Sequence, residues 1–247
     1  MVHEAAAQGY QKQAATYQRG RPTYHPDLVA RVAERYADGP LVELGAGTGI
    51  LTAALVDAGL AVTAVEPVEA MRSTLAERVP GARVLEGTAE AIPLDDACAA
   101  TVLCSQSFHW FDAPAALDEV ARVLRPGGHL LTVWNVRDEE VAWVAAYTAI
   151  ADRYAGDAPR YRTFAWRRAI DADARYALAD EWQVENPAPT DAQGVVERML
   201  STSFIAALDA DEQARVADEV RAVVADLGPR FAYPYRSELQ AWQLVAG

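Results

Sequence analysis

The stretch Leu41-Val42-Glu43-Leu44-Gly45-Ala46-Gly47-Thr48-Gly49-Ile50-Leu51 contains an apolar strand that ends near an acidic residue, three alternating glycines and a helix-forming run. Glycine has no Cβ, so it lets the backbone turn sharply and come close to a bound molecule. A turn from a strand into a helix also directs unpaired helix N–H groups toward that molecule. The stretch therefore predicts a ligand-binding turn in an α/β fold.

The spacing of the glycines narrows the class of ligand. A dinucleotide-binding fold has the pattern Gly-x-Gly-x-x-Gly, whereas here Gly49 comes one position early and Ile50 stands where the pattern needs a small residue. A P-loop is excluded because no Gly-Lys-Ser/Thr follows. The run 61–65 predicts a buried strand ending at Glu66, about 20 residues after the turn, where a carboxylate can bind both hydroxyls of a ribose. Met71, on the next helix, is either a core residue or a contact of an adenine face.

Four motifs in this order resemble the class I S-adenosylmethionine-dependent methyltransferases. They are Glu-x-Gly-x-Gly-x-Gly at 43–49, Val-Glu-Pro-x-x-x-Met at 65–71, Gly-Thr-Ala-Glu-Ala-Ile-Pro at 87–93 and Leu-Arg-Pro-Gly-Gly at 124–128. Two further stretches, Tyr-Gln-Arg-Gly-Arg-Pro-Thr-Tyr at 17–24 and Phe-His-Trp-Phe-Asp at 108–112, are similar to the trans-aconitate methyltransferase-like (type 11) enzymes. The resemblance implies S-adenosyl-L-methionine as cofactor and S-adenosyl-L-homocysteine as its product.

The same resemblance assigns cofactor binding to individual positions of the motifs. These are Tyr17, Arg21, Gly45, Ala46, Gly47, Thr48, Gly49, Glu66, Pro67, Met71, Thr88, Ala89, Glu90, Ser105 and Gln106. Tyr17 and Arg21 belong to a segment that resembles a lid over the methionine end of the cofactor, although Arg21 in a surface ion pair is the alternative. Many relatives have Asp where this chain has Thr88, so we expect the contact to the adenine amino group to pass to the Thr88 hydroxyl or the Ala89 backbone. Many also have Asp near Ala100, at the start of the fourth predicted strand, and any role of that Asp is absent here.

Apolar strands alternate with amphipathic helices, which predicts a parallel sheet covered on both faces. The predicted strands are 41–44, 61–65, 83–85, 99–105, 129–134, 182–185 and 231–245. With the family's usual antiparallel last strand, we expect a Rossmann-like doubly wound, mostly parallel seven-stranded sheet plus a helical cap insertion. The chain then forms a single methyltransferase domain over residues 1–247. Its parts are an N-terminal lid (4–25), a cofactor-binding core (26–135), a helical cap (136–180) and a C-terminal segment that completes the sheet (181–247).

The composition excludes several classes of partner. Lys and Arg number 22 against 35 Asp and Glu, a net charge of −13, whereas binding to nucleic acid requires a basic surface. No apolar run reaches the roughly 18 residues of a membrane span, and no signal peptide is recognisable. Two cysteines, Cys98 and Cys104, fit a reducing cytoplasm. We therefore expect a cytoplasmic enzyme with a small-molecule acceptor, whose oligomeric state the sequence leaves open.

A sulfonium methyl group is already electrophilic, so the resemblance implies catalysis mainly by positioning. The four histidines, His3, His25, His109 and His129, have no metal-ligand spacing, and we expect no metal. His109 follows the fourth predicted strand, where a general base or a substrate-holding group would lie. A base would give a limb near pH 6–7 in the rate profile. The alternative is a structural histidine that pairs with a backbone carbonyl.

Five arginines gather in the predicted cap of an otherwise acidic chain: Arg137, Arg160, Arg162, Arg167 and Arg168. They indicate either a solvated helix face or an acceptor with a carboxylate, which arginine forks bind well. The favoured function is O-methylation of a carboxylate or hydroxyl. An NAD-dependent oxidoreductase, disfavoured by Ile50 and by the lack of a Tyr-x-x-x-Lys pair, and a non-catalytic cofactor-binding protein of this fold are the alternatives.

Overall fold

The computed structural model describes residues 21–245 as a central sheet with helices on both faces. In chain order the elements are α1 (Pro26–Tyr36), β1 (Leu41–Leu44), α2 (Ile50–Asp57), β2 (Val62–Val65), α3 (Glu69–Arg78), β3 (Arg83–Leu85), β4 (Ala99–Ser105), α4 (Ala113–Val123), β5 (Leu124–Arg137), α5 (Ala142–Asp152), α6 (Ala165–Asp171), β6 (Tyr176–Glu185), β7 (Ala188–Thr190), α7 (Ala192–Leu200), α8 (Ser203–Ala206), α9 (Ala210–Val224), β8 (Phe231–Tyr233) and β9 (Tyr235–Leu244).

The seven-stranded sheet has the order β3-β2-β1-β4-β5-β9-β6. Strands β1 to β5 pair in parallel, and β9 runs antiparallel to both of its neighbours, β5 and β6. The predicted fold class, a mostly parallel sheet of seven strands with an antiparallel last strand, is thus confirmed. The strand order reverses between β1 and β4, and in open α/β sheets ligands bind at the carboxyl ends of the strands beside such a reversal.

Local sequence explains why the first half folds as predicted. Pro26 starts α1 at a position where its missing N–H costs nothing, and the preceding His25 side chain accepts the Asp27 N–H at 3.2 Å. All four residues of β1 are buried, as expected of a parallel strand covered on both faces. Helices α1 and α2 pack on one face of the sheet, and α4 and α6 pack on the other. The predicted strands at 41–44, 83–85 and 99–105 agree with the structure.

A third apolar cluster lies outside the sheet and joins α5 to α7, α8 and α9 and to the β7–β8 hairpin. These elements form what we call the helical group. It differs from the predicted cap at 136–180, because α6 packs against the sheet and residues 192–224 supply most of the helices. The amphipathic repeat of α5 alone leaves its buried residues, Val144 and Tyr147, without a covering surface, which α7 and α9 provide.

Three predicted boundaries are wrong. Strand β6 begins at Tyr176 instead of Trp182, because its first half, Tyr-Ala-Leu-Ala-Asp, is largely exposed and does not alternate between apolar and polar residues. Strand β5 continues past Trp134 to Arg137. The predicted strand Phe231–Val245 is interrupted at Pro234, which cannot donate to a ladder, and its first part pairs with β7 instead of the main sheet. Within residues 21–245 no helix is both long and apolar enough to cross a bilayer.

Candidate active site

The turn between β1 and α2 depends on its three glycines for different reasons. Gly45, Gly47 and Gly49 have φ angles of 64°, 59° and 76°, in the left-handed region that other residues avoid. A Cβ on Gly45 would lie 2.8 Å from the Cβ of Ser107, and one on Gly49 would lie 2.9 Å from Cγ of Leu75. These two glycines therefore serve close packing of the turn.

Gly47 differs because its missing side chain leaves open space. Among residues 21–245, the only atom within 4 Å of a Cβ there would be Sδ of Met71, at 3.9 Å. The Gly47 N–H donates to Oε2 of Glu66 at 2.8 Å, so the turn is closed by a carboxylate at the end of β2. The backbone at Gly47 consequently forms part of the wall of a cleft.

Glu66 is fixed by backbone donors on both sides. Its Oε1 accepts the Val68 N–H at 2.8 Å, matching the bond from Gly47 to Oε2. The side chain is only 4% exposed. Burial raises the pKa of Glu66, against the opposing effects of the two N–H donors and of Arg72. Each carboxylate oxygen can accept a further bond from a ligand, since a carboxylate has about four acceptor sites.

A cleft, which we call the first cavity, opens over the carboxyl ends of β1, β2 and β4. It gathers nearly all the predicted cofactor-binding residues: Arg21, Gly45, Ala46, Gly47, Thr48, Glu66, Pro67, Met71, Thr88, Ala89, Glu90, Ser105 and Gln106. Gly49 does not line it and acts through the shape of the turn instead. Tyr17, like residues 4–20 of the predicted lid, lies outside the described residues. Whether these residues bind a cofactor stays a prediction.

Sequence reasoning missed Glu43 as part of this site. Its side chain is completely buried under the turn, where it accepts hydroxyl hydrogen bonds from Thr52 and Ser105, each at 2.6 Å. Burial raises its pKa to about 7, although both hydroxyl donors oppose the rise. The signal was present in the sequence, because an acidic residue at the end of an apolar strand is rarely buried without a purpose. Glu43 ties β1, α2 and β4 together behind the cavity.

The opposite edge of the first cavity is held by Gln106 and Asn135. Gln106 has a φ of 57°, an uncommon conformation for a residue other than glycine, and its Nε2 donates to the Asn135 backbone oxygen at 3.2 Å. The Asn135 side chain accepts from Ser237 Oγ at 2.6 Å and donates to the Thr23 oxygen at 3.2 Å. The segment after Arg21 is thereby attached to the end of β5. Strained backbone of this kind clusters at functional sites.

A second cavity adjoins the first and extends toward the helical group. The two have similar volumes, about 140 Å³ for the first and about 170 Å³ for the second. They share the side chains of Arg21, Gln106, Trp110, Asn135 and Arg198. These shared side chains place the two cavities next to each other.

His109 lies in the wall of the second cavity, beyond the residues of the first. Its ring packs between Trp110 and Trp134, with centroids 5.0 and 5.5 Å away, and its buried Nδ1 has no hydrogen-bond partner among residues 21–245. Burial, followed by the charge of Arg21, lowers the pKa of His109 to about 3. The imidazole is therefore neutral at physiological pH, and the expected limb near pH 6–7 does not follow from it. Its role as base or holder of substrate stays a prediction.

The structure separates the five arginines that the sequence grouped. Arg160 and Arg162 line the second cavity but pair with Asp152, and Arg162 also contacts Glu139 at 3.0 Å.

Arg167 pairs with Asp171 and Glu181, and Arg168 donates to the Thr163 oxygen at 2.9 Å. Arg137 also lines the second cavity, together with Arg198, which the sequence did not single out. Among the described residues, no group of three or more His, Cys, Asp or Glu side chains has the arrangement of a metal site.

Known proteins resemble this chain in sequence. A family model described as a methyltransferase domain matches residues 42–132. An uncharacterised methyltransferase of Mycobacterium tuberculosis is 39% identical over 213 residues, which cover 85% of this chain and 82% of that protein. A malonyl-[acyl-carrier protein] O-methyltransferase of Methylococcus capsulatus is 31% identical over 147 residues, 55% of this chain and 50% of that protein.

Solved structures share the fold. One described as a type II methyltransferase from Anaeromyxobacter dehalogenans has a TM-score of 0.67 and 23% identity, over 92% of this chain and 99% of that chain. A geranyl diphosphate methyltransferase in complex with GPP and sinefungin has a TM-score of 0.52 and 17% identity, over 89% of this chain and 77% of that chain. At these identities the likeness concerns the fold alone.

Proposed function

The chain belongs to the class I methyltransferases, and on that premise we propose that it transfers a methyl group from S-adenosyl-L-methionine to an oxygen atom of a small molecule. The observation that carries the proposal is the pairing of the Gly47 N–H with the Glu66 carboxylate at the mouth of the first cavity. It places a fixed carboxylate beside the Gly47 backbone, where the missing side chain leaves open space among the described residues.

The residues present fit this cofactor. Glu66 has acceptor sites left for two ribose hydroxyls, and Gly47 leaves the space that a sugar would fill. The buried Oγ1 of Thr48 has no hydrogen-bond partner among the described residues and is free to bind a polar group there. Met71, Thr88 and Ala89 would hold the adenine. The solved relative with sinefungin, an analogue of this cofactor, supports the same use of the fold.

When bound, this cofactor supplies an electrophilic methyl group on a sulfonium. The chain's own residues then have to position the acceptor and exclude water. Trp110 contributes to both cavities and lies at the boundary where an acceptor would meet the cofactor. Gln106 and Asn135, which also line both cavities, fix the floor of that boundary through their mutual hydrogen bond.

Oxygen is favoured as the methylated atom. The relative from Methylococcus capsulatus is an O-methyltransferase by name. A neutral His109 with a pKa of about 3 is a weak base near pH 7, so an acceptor that is already ionised suits the site better than one that must lose a proton. A carboxylate meets that condition, since its ordinary pKa is about 4.

The proposal is tested by calorimetric titration of S-adenosyl-L-methionine and S-adenosyl-L-homocysteine. We expect micromolar dissociation constants, about 7–8 kcal/mol, for both molecules. The variant Gly47→Val should lose binding, because its side chain would occupy ligand space.

Gly59→Val is the matched control. Gly59 also has a positive φ, of 86°, but a Cβ there would meet no atom of the described residues within 4 Å, and Gly59 does not line the cavity. Both variants therefore carry backbone strain and only one blocks the cleft. Tight binding of NADH without binding of either methionine compound would refute the proposal.

A further inference from the structure

Arg198, on α7 of the helical group, is a buried arginine with unsatisfied donors. It is 9% exposed, and its Nε and Nη1 atoms have no hydrogen-bond partner within residues 21–245. The side chain lines both cavities, so it stands where the two meet. A guanidinium has five N–H donors and no acceptor, and it stays protonated in proteins.

Such an arrangement is costly for the ligand-free fold. A buried charge without a partner loses its hydration and gains nothing in return. Other arginines around the second cavity avoid this cost: Arg160 pairs with Asp152, and Arg162 pairs with Asp152 and Glu139. A buried polar group left unsatisfied in a native structure calls for a specific explanation, and a bound ligand is one.

The surroundings of Arg198 are positive and polar. Arg137 lines the second cavity as well, with its guanidinium 4.8 Å from the ring centroid of Tyr147. The buried hydroxyl of Tyr147 also lacks a partner among the described residues. Burial, then the charge of Arg21, lowers the pKa of Arg198, and the charge of Arg137 acts in the same direction. The positive groups converge without neutralising one another.

We propose that Arg198 binds an oxyanion group of the methyl acceptor, with Arg137 as the second guanidinium of this subsite. The inference rests on the proposed function, which assigns the second cavity to the acceptor. Arg198 alone would not decide between the cavities, since it lines both. Arg137 lines only the second, so the position where both guanidinium groups act lies on the acceptor side.

The ligand class follows from donor geometry. A guanidinium fork matches the two oxygens of a carboxylate or of a phosphate and forms charge-assisted hydrogen bonds with either. Because Arg198 is buried, these bonds are stronger there than at the protein surface. An acceptor that carries such a group would be held firmly, whereas its uncharged analogue would leave Arg198 unpaired. Arg198 would thus determine which molecules are methylated.

The experiment measures anion binding in the protein saturated with S-adenosyl-L-homocysteine. Malonate and inorganic phosphate are titrated at constant ionic strength, kept with sodium chloride, and the fluorescence of the tryptophans is recorded, Trp110 being in the cavity wall. We expect saturable binding by the wild-type protein. Arg198→Gln should weaken it by roughly 10- to 100-fold, as expected for lost hydrogen bonds to a charged group. Arg198→Lys, which keeps the charge but not the fork, should fall between. The preference between malonate and phosphate identifies the anion.

Arg168→Gln is the matched control, because Arg168 is an exposed arginine that donates to the Thr163 oxygen and lines neither cavity. It should bind both anions like the wild-type protein. Arg198→Gln should fold at least as stably as the wild type, since it removes a buried unpaired charge; should it fail to fold, Arg198→Lys carries the test.

Three results would overturn the inference. The first is absence of saturable anion binding by the wild-type protein, and the second is equal binding by Arg198→Gln. The third is a loss of S-adenosyl-L-homocysteine affinity in Arg198→Gln with anion binding intact, which would assign Arg198 to the cofactor's own carboxylate. Failure of the proposed function is a separate outcome, because the wild type would then not bind S-adenosyl-L-homocysteine, and the same titrations without it would still test Arg198.

Discussion

Replacing Glu43 by Gln should change how the stability of the protein depends on pH. Glu43 is completely buried behind the glycine turn and accepts hydrogen bonds from the hydroxyls of Thr52 and Ser105. Burial raises its pKa from 4.5 to about 7. Glutamine has nearly the same shape and keeps one oxygen acceptor, while its amide can donate to the second hydroxyl. The variant therefore imitates the protonated acid and removes the titration.

The sign and size of the effect follow from proton linkage. Between pH 4.5 and about 7 the folded protein holds a proton on Glu43 that the unfolded chain has released, so stability falls as the pH rises through this window. Below it both states are protonated, and above it both are ionised, so this group adds no slope there. The difference between the two pKa values corresponds to about 3 kcal/mol, each pKa unit being about 1.4 kcal/mol.

Urea unfolding of both proteins at several pH values between about 4.5 and 8 measures the effect. We expect equal stabilities at the acid end and Glu43→Gln to be the more stable by about 3 kcal/mol at the alkaline end. Glu77→Gln is the control, since Glu77 is exposed on α3 and should give a profile parallel to that of the wild type. A constant difference between wild type and Glu43→Gln over the whole range would refute the reasoning.

Three further predictions concern the site and the sheet. Glu66→Gln keeps one acceptor for the N–H groups of Gly47 and Val68, so both unfolding stability and S-adenosyl-L-homocysteine affinity should fall by about 1.5–3 kcal/mol; an unchanged dissociation constant in calorimetry would contradict it. His109→Ala should leave the shape of the pH–rate profile between pH 6 and pH 7 unchanged, because the pKa of His109 is about 3, whereas a limb there that disappears in the variant would identify His109 as the base. Gly128→Ala should lower the free energy of unfolding by about 1–3 kcal/mol, because its Cβ would lie 2.9 Å from the backbone oxygen at position 100; equal urea midpoints would count against this.

The fold was predictable where local sequence determines it. The glycine turn needs a left-handed backbone at Gly45, Gly47 and Gly49, which few other residues adopt, so the pattern itself identifies the turn. Strands β1 and β4 are short apolar runs bounded by turn residues, and their limits agree with the structure. Strand β6 was harder because it is an edge strand with few buried side chains, and its first half, Tyr-Ala-Leu-Ala-Asp, does not alternate between apolar and polar residues.

The sequence predicted the residues around the first cavity, but it did not predict Arg198 in the wall of the second. Arg160, Arg162, Arg167 and Arg168 lie close together in sequence, but nearby carboxylates such as Asp152 and Asp171 pair with three of them, and the fourth donates to a backbone oxygen. Arg198 stands in an amphipathic helix where sequence alone suggests a solvated side chain. Its burial arises from packing of α7 against α5 and α9, elements that are distant in the chain. Tertiary contacts of this kind leave no local pattern to recognise.

The two cavities explain this difference, because under the proposed function they would bind their ligands by different physical means. In the first cavity N–H groups, left-handed turns and strand ends line the space that the proposed cofactor would occupy, and only particular residues permit those backbone conformations. A backbone conformation that few residue types permit restricts which residues can occupy a position, and this restriction is what appears in the sequence as a motif. The second cavity lies beside the helical group, where an oxyanion subsite needs a guanidinium and a place to bury it but no special backbone. An arginine on any helix facing the cavity would meet that need. If the proposed function is right, a chain of this fold can change its acceptor by substituting helix residues while the glycine turn stays the same. The acceptor is then to be sought from buried unpaired side chains instead of from motifs.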